Sequence, residues 1–160
     1  MPSYLRRRAG RVRGVLILIA TDADYVVNDV TAALGGPDVT FLVCREGRDI
    51  AGVVAERPVD LAVLDLQIGS MGGMAATMSL RLDESAGQLP HVKVIMLLDR
   101  PADVHLARRS AAEAWVVKPV DALTLKRTAR AVLDGVSMAA PPPEPGAEMA
   151  AAGAEPPAAG

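Results

Sequence analysis

The chain has 160 residues, enough for one compact domain, and 51% of them are apolar, enough to bury a sizeable core. A formal net charge of −2 gives no global attraction to nucleic acid or anionic membranes, and no apolar run approaches the ~20 residues that a membrane-spanning helix needs. The single cysteine, Cys44, excludes an intramolecular disulfide and fits a reducing compartment. We therefore expect a cytoplasmic protein that neither binds DNA directly nor inserts into a membrane.

The two ends of the chain differ in composition from its middle. Residues 1–13 form a basic arm rich in arginine, which is typical of a solvated terminus. From residue 138 to 160, Ala, Pro, Gly and Glu dominate without apolar periodicity. Such a composition buries too little surface to offset its ordering entropy and predicts a disordered tail. The folded domain is expected over 14–137.

Short apolar runs alternate with helical patterns along this domain. Continuous apolar runs are typical of strands buried on both faces of a parallel sheet; they are Val15 to Ala20, Val39 to Cys44, Leu61 to Leu64, Val94 to Leu98 and Trp115 to Val117. Helical spacing or composition predicts helices between them and after the last run, at residues 26–34, 47–56, 73–82, 102–111 and 121–133. This order predicts an α/β doubly wound (βα)5 fold with right-handed crossovers and helices on both faces of the sheet.

Three charged side chains follow strands that lie side by side in such a sheet. Asp22 follows the first strand, Asp65 ends the third, and Lys118 follows the fifth. Ligands of open α/β sheets bind outside the carboxyl ends of the strands. Two carboxylates there suit Mg²⁺, which keeps several waters and is shared with phosphate. Alternatively, each residue has a purely structural role: Asp22 caps a helix, Asp65 ends a strand and Lys118 is a surface residue.

Two segments carry a resemblance to a known family. Residues 65–74, DLQIGSMGGM, resemble the phosphorylation-site loop of bacterial response regulator receiver domains, and 117–120, VKPV, resembles their Lys-Pro signature. The resemblance covers about 14–136 and implies a flavodoxin-like sheet of strand order 2-1-3-4-5. It also implies that Asp65 is the phosphoacceptor, that Lys118 pairs with the phosphoryl oxygens, and that Mg²⁺ is bound by Asp22, Asp65 and the backbone carbonyl of Gln67. The Lys118–Pro119 bond is similar to one that is cis in the family.

Three positions depart from the family pattern. The pair of acids after the first strand aligns with Thr21-Asp22, which predicts weak Mg²⁺ binding. The Ser or Thr that ends the fourth strand and relays the switch aligns with Leu98, which has no hydroxyl. The small residue that follows aligns with Asp99, a third carboxylate that could repel a phosphate or bind metal itself.

The fifth strand carries the only tryptophan. Trp115 aligns with the family's switch aromatic, although a half-buried packing residue explains it equally well. Arg108, Arg109, Lys126, Arg127 and Arg130 place basic charge on the helices around it. The resemblance implies that this α4-β5-α5 face meets partners or forms a homodimer, and solvated helix charges are the alternative.

These observations leave two leading hypotheses. The first is an atypical stand-alone receiver, phosphorylated on Asp65 by a histidine kinase or a small phosphodonor, that signals to a downstream protein by protein–protein interaction. The second is a degenerate receiver that works as a phosphorylation-independent interaction module. A phosphatase that uses Asp65 as nucleophile would need a second acid two residues later, where Gln67 stands, so we do not expect an enzyme.

Overall fold

A computed structural model describes residues 14–138, so the basic arm and all but the first residue of the tail lie outside the described residues. Within them, strands and helices alternate, as β1 (Val15–Ala20), α1 (Asp24–Leu34), β2 (Val39–Cys44), α2 (Ile50–Glu56), β3 (Leu61–Asp65), α3 (Gly73–Ser85), β4 (Lys93–Leu98), α4 (Val104–Arg109), β5 (Ala114–Val117) and α5 (Ala122–Leu133). No helix among the described residues is both long enough and apolar enough to cross a membrane.

The five strands form one parallel sheet in the order β2-β1-β3-β4-β5, so the predicted fold and strand order are confirmed. Its central strands are apolar at successive positions because alternate side chains enter two separate cores. One core lies under α2, α3 and α4, and the other lies under α1 and α5. The helices therefore cover both faces of the sheet, and the carboxyl ends of all five strands lie at one edge because the strands are parallel.

All five predicted helices differ in their bounds from the observed ones, by one to three residues; α1 begins two residues earlier than predicted and α5 begins one residue later. The segments predicted as 47–56 and 102–111 each begin with a 3₁₀ turn, Gly47–Asp49 and Pro101–Asp103, before the α-helix. The second also ends early, because Ala111 adopts a left-handed φ of 61° that directs the chain into β5. In contrast, α3 continues three residues past the predicted end, to a turn in which Gly87 has a φ of 74°.

A charged cluster ties α3 to the amino ends of β4 and β5. The Arg81 guanidinium donates to Glu84 and to Glu113, each at 2.8 Å. The imidazole of His91 lies between the same two carboxylates, at 2.9 Å from Glu84 and 2.7 Å from Glu113. A ring bonded to a carboxylate at both nitrogens is best satisfied as imidazolium. Sequence reasoning assigned His91 no metal role, because no cysteine or second histidine stands at ligand spacing, and it missed this cluster because Glu113 is 32 positions from Arg81.

We expect this cluster to make stability depend on pH. The hydrogen bond to Glu113 and the charges of both glutamates raise the pKa of His91, outweighing its partial burial. The contribution of His91 to the free energy of unfolding is therefore fully present below the ordinary histidine pKa of about 6.5 and is lost as pH rises through the raised pKa. Burial raises the pKa of Glu113, but its bonds from His91 and Val94 and the charge of Arg81 lower it overall. The contribution of Glu113 to the free energy of unfolding is therefore lost as pH falls below the ordinary pKa of glutamate and through the lowered one.

Urea unfolding from pH 5 to 9 tests this expectation. We expect the wild-type protein to lose stability as pH rises above about 6.5, and His91→Asn to remove most of that slope. His105→Asn, at an exposed histidine whose Nδ1 meets only a backbone carbonyl, is the matched control and should retain it. A slope that is identical in wild type and His91→Asn would contradict the assignment.

Candidate functional site

Asp65 is the last residue of β3 and is almost fully buried, with 2% of its surface exposed. Both carboxylate oxygens have partners. Oδ1 accepts from the ammonium of Lys118 at 2.7 Å and from the backbone N–H of Gln67 at 3.1 Å. Oδ2 accepts from the hydroxyl of Thr21 at 2.8 Å. A buried charge needs such partners, so this carboxylate is held in one orientation at the carboxyl edge of the sheet.

Lys118 reaches this carboxylate from the end of β5. Its backbone N–H donates to the carbonyl of Leu98 at 2.7 Å, and the Lys118–Pro119 bond that follows is cis, as the resemblance implied. The side chain is only 11% exposed and also contacts Asp99, at 3.3 Å. Partial burial lowers the pKa of Lys118, but the hydrogen bond and charge of Asp65 and the charge of Asp99 raise it overall. The ammonium therefore stays charged. Its low exposure differs from that of the solvated surface lysine considered as the alternative.

Thr21 makes a contact that sequence reasoning missed. It is fully buried, and its hydroxyl donates to Asp65 while it accepts from the backbone N–H of Ala23 at 3.1 Å. The residue was interpreted only as the loss of an acid. A threonine hydroxyl can donate and accept at the same time, so it links the start of α1 to the central carboxylate.

Asp22 lies at the same edge but is exposed. Its Oδ2 is 3.3 Å from the position that a Cβ on Gly69 would occupy, so the carboxylate faces the loop after β3. It does not cap α1, because the N-cap residue is Ala23 and no side chain accepts from the first turn. Asp24, the next acid, instead forms an ion pair with Arg45 at 2.8 Å.

The loop after β3 is held by α2 and by its own hydrogen bonds. Gly47, just before α2, donates its N–H to the carbonyl of Gly69 at 3.0 Å, and Gly73 donates to the carbonyl of Leu66 at 3.1 Å. Ser70 has a left-handed φ of 68°, a conformation that non-glycine residues seldom adopt outside turns and functional sites. These contacts place Gln67 where its N–H meets Asp65.

The donors expected to bind Mg²⁺ are suitable in kind but few in number. Carboxylate and carbonyl oxygens are the ligands that this ion prefers. Across residues 14–138, however, no group of three or more His, Cys, Asp or Glu side chains is arranged to hold a metal ion. Asp22 and Asp65 remain the candidate carboxylates, and one oxygen of Asp65 already accepts the Thr21 hydroxyl.

The two predicted switch residues lie on the same face of the sheet. Leu98 is fully buried at the end of β4, and Trp115 is partly buried in β5 and packs against the same core. The guanidinium of Arg108 lies 5.3 Å from the centre of the indole ring, close enough for a cation–π contact. No side-chain hydroxyl is present at Leu98 to contact a group on Asp65.

Comparisons with known proteins agree with this geometry. The family described as response regulator receiver domain matches residues 17–130. An uncharacterised response regulatory protein of Mycobacterium tuberculosis is 34% identical over 123 residues, which are 73% of this chain and 90% of that protein. PilH of Pseudomonas aeruginosa is 29% identical over 119 residues, 74% of this chain and 98% of its own length.

Solved structures share the fold at lower identity. The chemotaxis response regulator CheY4 of Vibrio cholerae superposes with a TM-score of 0.65 at 18% identity, covering 74% of this chain and 98% of its own. The signal receiver domain of an HD domain-containing protein from Pseudomonas fluorescens has a TM-score of 0.67 at 19% identity and covers 80% and 93%. Since the family match spans most of the described residues, the chain belongs to the response regulator receiver domain family.

Proposed function

We propose that this receiver accepts a phosphoryl group on Asp65, from a phosphohistidine of a histidine kinase or from a small phosphodonor, and signals through protein–protein contacts. The observation that carries the proposal is the ammonium of Lys118 at 2.7 Å from the Asp65 carboxylate, at the carboxyl edge of the sheet. Phosphoryl transfer depends chiefly on such positioning and on electrostatic stabilisation.

The proposed reaction is a substitution at phosphorus. A carboxylate oxygen of Asp65 forms a P–O bond, the P–N bond of the phosphohistidine breaks, and the imidazole leaves with the electron pair. We assign the attack to Oδ2, because Oδ1 already accepts two hydrogen bonds and Oδ2 accepts only one. Lys118 then neutralises the phosphoryl oxygens, in competition with Asp99 for the same ammonium.

Mg²⁺ would bind weakly beside Asp65. Asp22, Asp65 and the carbonyl of Gln67 would hold it, and when bound it would supply positive charge at the phosphoryl oxygens. The low number of carboxylates, together with the hydrogen bond from Thr21 to Asp65, supports an affinity in the millimolar range, about that of a site with one or two carboxylates and several waters.

The α4-β5-α5 face is the proposed surface for the downstream protein or for a homodimer. Trp115 and Arg108 form its centre. Of the other basic residues expected around them, only Arg127 lies near β5, beside Ala114. That expectation is wrong for Lys126 and Arg130, which line a groove with α1 and β2, and for Arg109, which lines a groove with α3. Aromatic residues and arginine are enriched in protein interfaces, whereas solvated charges alone would not need the indole.

A second candidate function is a constitutive interaction module. The observation that favours it is the contact set of Asp65, whose carboxylate already has partners on both oxygens without a phosphoryl group. One experiment separates the two candidates. Amide spectra of wild type and Asp65→Asn are recorded with Mg²⁺, with and without acetyl phosphate. A donor-dependent change near Trp115 that Asp65→Asn lacks supports the phosphoswitch, and spectra that acetyl phosphate leaves unchanged in both proteins support the constitutive module.

Replacing Leu98 with Thr should strengthen this change. The new hydroxyl at the end of β4 could donate to a phosphoryl group, and a charge-assisted hydrogen bond of about 1.5–3 kcal/mol shifts a two-state ratio by roughly tenfold or more. Leu98→Val has the same shape as the threonine variant without the hydroxyl and is the matched control for lost core volume. Equal donor-induced shifts of Trp115 in the two variants would show that a hydroxyl at this position does not strengthen the change.

A further inference from the structure

We propose that the groove between α3 and α4 binds an amphipathic helix of a partner protein that carries acidic side chains along one flank. This groove uses the side of α4 that carries Leu106 and Arg109, whereas Arg108 of α4 contacts Trp115 in the α4-β5-α5 face. The proposal does not depend on phosphorylation of Asp65. It rests on the apolar side chains of α3, on the charge of the opposite wall, and on the length of the groove.

The α3 wall of the groove is an exposed apolar stripe. Met74, Met78 and Leu82 recur every four residues on α3 and therefore lie on one face. Met78 is 42% exposed and Leu82 is 71% exposed, and Met71, 36% exposed, precedes the helix. A contiguous exposed apolar patch marks an interaction site on a soluble domain, and methionine is common where a surface adapts to a partner.

The opposite wall is basic. Arg109 of α4 is exposed, and its guanidinium makes no hydrogen bond or ion pair within residues 14–138. Arg100 lies at the other end, 74% exposed, and bonds Asp103 at 3.0 Å. Asp103 is buried and is the only carboxylate that lines the groove, so its charge is neutralised by Arg100. The free positive charge of this wall complements acidic side chains.

The dimensions fit a helix. The groove consists of two neighbouring sections of about 370 and 260 Å³, which are both lined by Met78. From Met74 to Leu82 the wall extends about 12 Å at 1.5 Å per residue, which matches two turns of a docked helix. A second copy of this chain is a poor occupant through this face, because the arginines of the two grooves would then approach each other.

Synthetic peptides test the proposal on the full chain. Each peptide has about 18 residues, which form five helical turns, and carries Leu on one face. In the first panel, Glu residues occupy the adjacent flank in three different registers. In the second panel, Lys replaces Glu at the same positions. Fluorescence anisotropy measures affinity, and amide shifts locate the bound peptide. We expect a Glu peptide to bind, with shifts at Met78 and Leu82, and the Lys peptides to bind at least about tenfold more weakly.

Variants at exposed positions identify the groove. Met78→Glu should weaken the Glu peptide at least about tenfold, and Arg109→Glu should reverse the preference between Glu and Lys peptides. Leu123→Glu introduces the same charge at an exposed apolar residue of α5, outside the groove, and should bind like wild type. Thermal melts check that each variant is folded, and Leu82→Glu replaces Met78→Glu if the latter unfolds.

Several results would overturn the proposal. They are no binding by any Glu peptide at millimolar concentration, equal binding of Glu and Lys peptides, or equal losses in Met78→Glu and Leu123→Glu. Amide shifts confined to another face, self-association that disappears in Met78→Glu, or Glu-peptide binding that appears only when residues 139–160 are deleted would also do so. The last two results would assign the groove to a second copy or to the chain's own terminus.

Discussion

We expect the replacement of Lys118 with Met to slow the proposed phosphoryl transfer to Asp65 on the order of 100-fold, the loss typical of removing one preorganised electrostatic contact. The expectation follows from the position of the ammonium, 2.7 Å from Oδ1 on a side chain that is 11% exposed. Its raised pKa keeps it charged, so it is present to neutralise the incoming phosphoryl oxygens without rearrangement. Methionine is one atom shorter than lysine and removes the ammonium, with both its charge and its hydrogen bond to Asp65.

The rate is measured by intact mass after mixing the protein with Mg²⁺ and acetyl phosphate. Lys126→Met is the matched control, because Lys126 is an exposed residue of α5 distant from the carboxyl edge of the sheet. We expect the control to react like wild type. Equal rates in wild type and Lys118→Met would show that the cation does not assist the transfer, and the proposed reaction would lose its principal support.

Gly47→Ala should destabilise the domain by about 3 kcal/mol or more, in the range of severe overpacking. A Cβ on Gly47 would overlap the backbone carbonyl of Met71, and backbone atoms cannot move aside as a flexible side chain could. The displaced segment is the loop after β3, which places Gln67 against Asp65. The variant should therefore also disturb the proposed phosphorylation site.

Gly52→Ala is the control for this substitution. Gly52 lies within α2, only five residues from Gly47, and a Cβ there meets nothing within 4 Å. Alanine should stabilise the helix by about 0.5–1 kcal/mol. Urea unfolding measures both variants. A similar free energy of unfolding for Gly47→Ala and wild type would mean that the loop and the start of α2 do not pack as described.

The convergence of Asp65 and Lys118 could be predicted because it depends on topology. Parallel strands end at a common edge, so Asp65 and Lys118 both lie there. The expectation that their strands lie side by side is wrong, because β4 separates β3 from β5, and the contact depends on the long side chain of Lys118 reaching past the end of β4. The contact between Thr21 and Asp65 depends on a hydroxyl rotamer and on burial, which residue type alone does not specify. For this reason Thr21 was interpreted by what it lacks, a carboxylate, and not by the hydrogen bond that it makes.

Long-range charged contacts and helix ends also escaped prediction. The bond between Arg81 and Glu113 joins residues that are 32 positions apart, and no periodic pattern marks such a pair. The end of α3 was predicted too early because apolar spacing stops at Leu82. The helix continues through a turn stabilised by the ion pair of Arg81 with Glu84 and ends before Gly87. The glycine was the available signal in the sequence, because it readily adopts the left-handed conformation seen at a helix end.

The most direct test of phosphorylation at Asp65 is to locate the modified residue. The protein is incubated with Mg²⁺ and acetyl phosphate, and borohydride then reduces any acyl phosphate to the alcohol, which converts the modified aspartate to homoserine. Peptide mapping by mass spectrometry identifies the position. We predict homoserine at position 65 in the wild-type chain and at no position in Asp65→Asn. Conversion at Asp22 or Asp99, or no conversion under conditions that modify a known receiver, would contradict the proposed function.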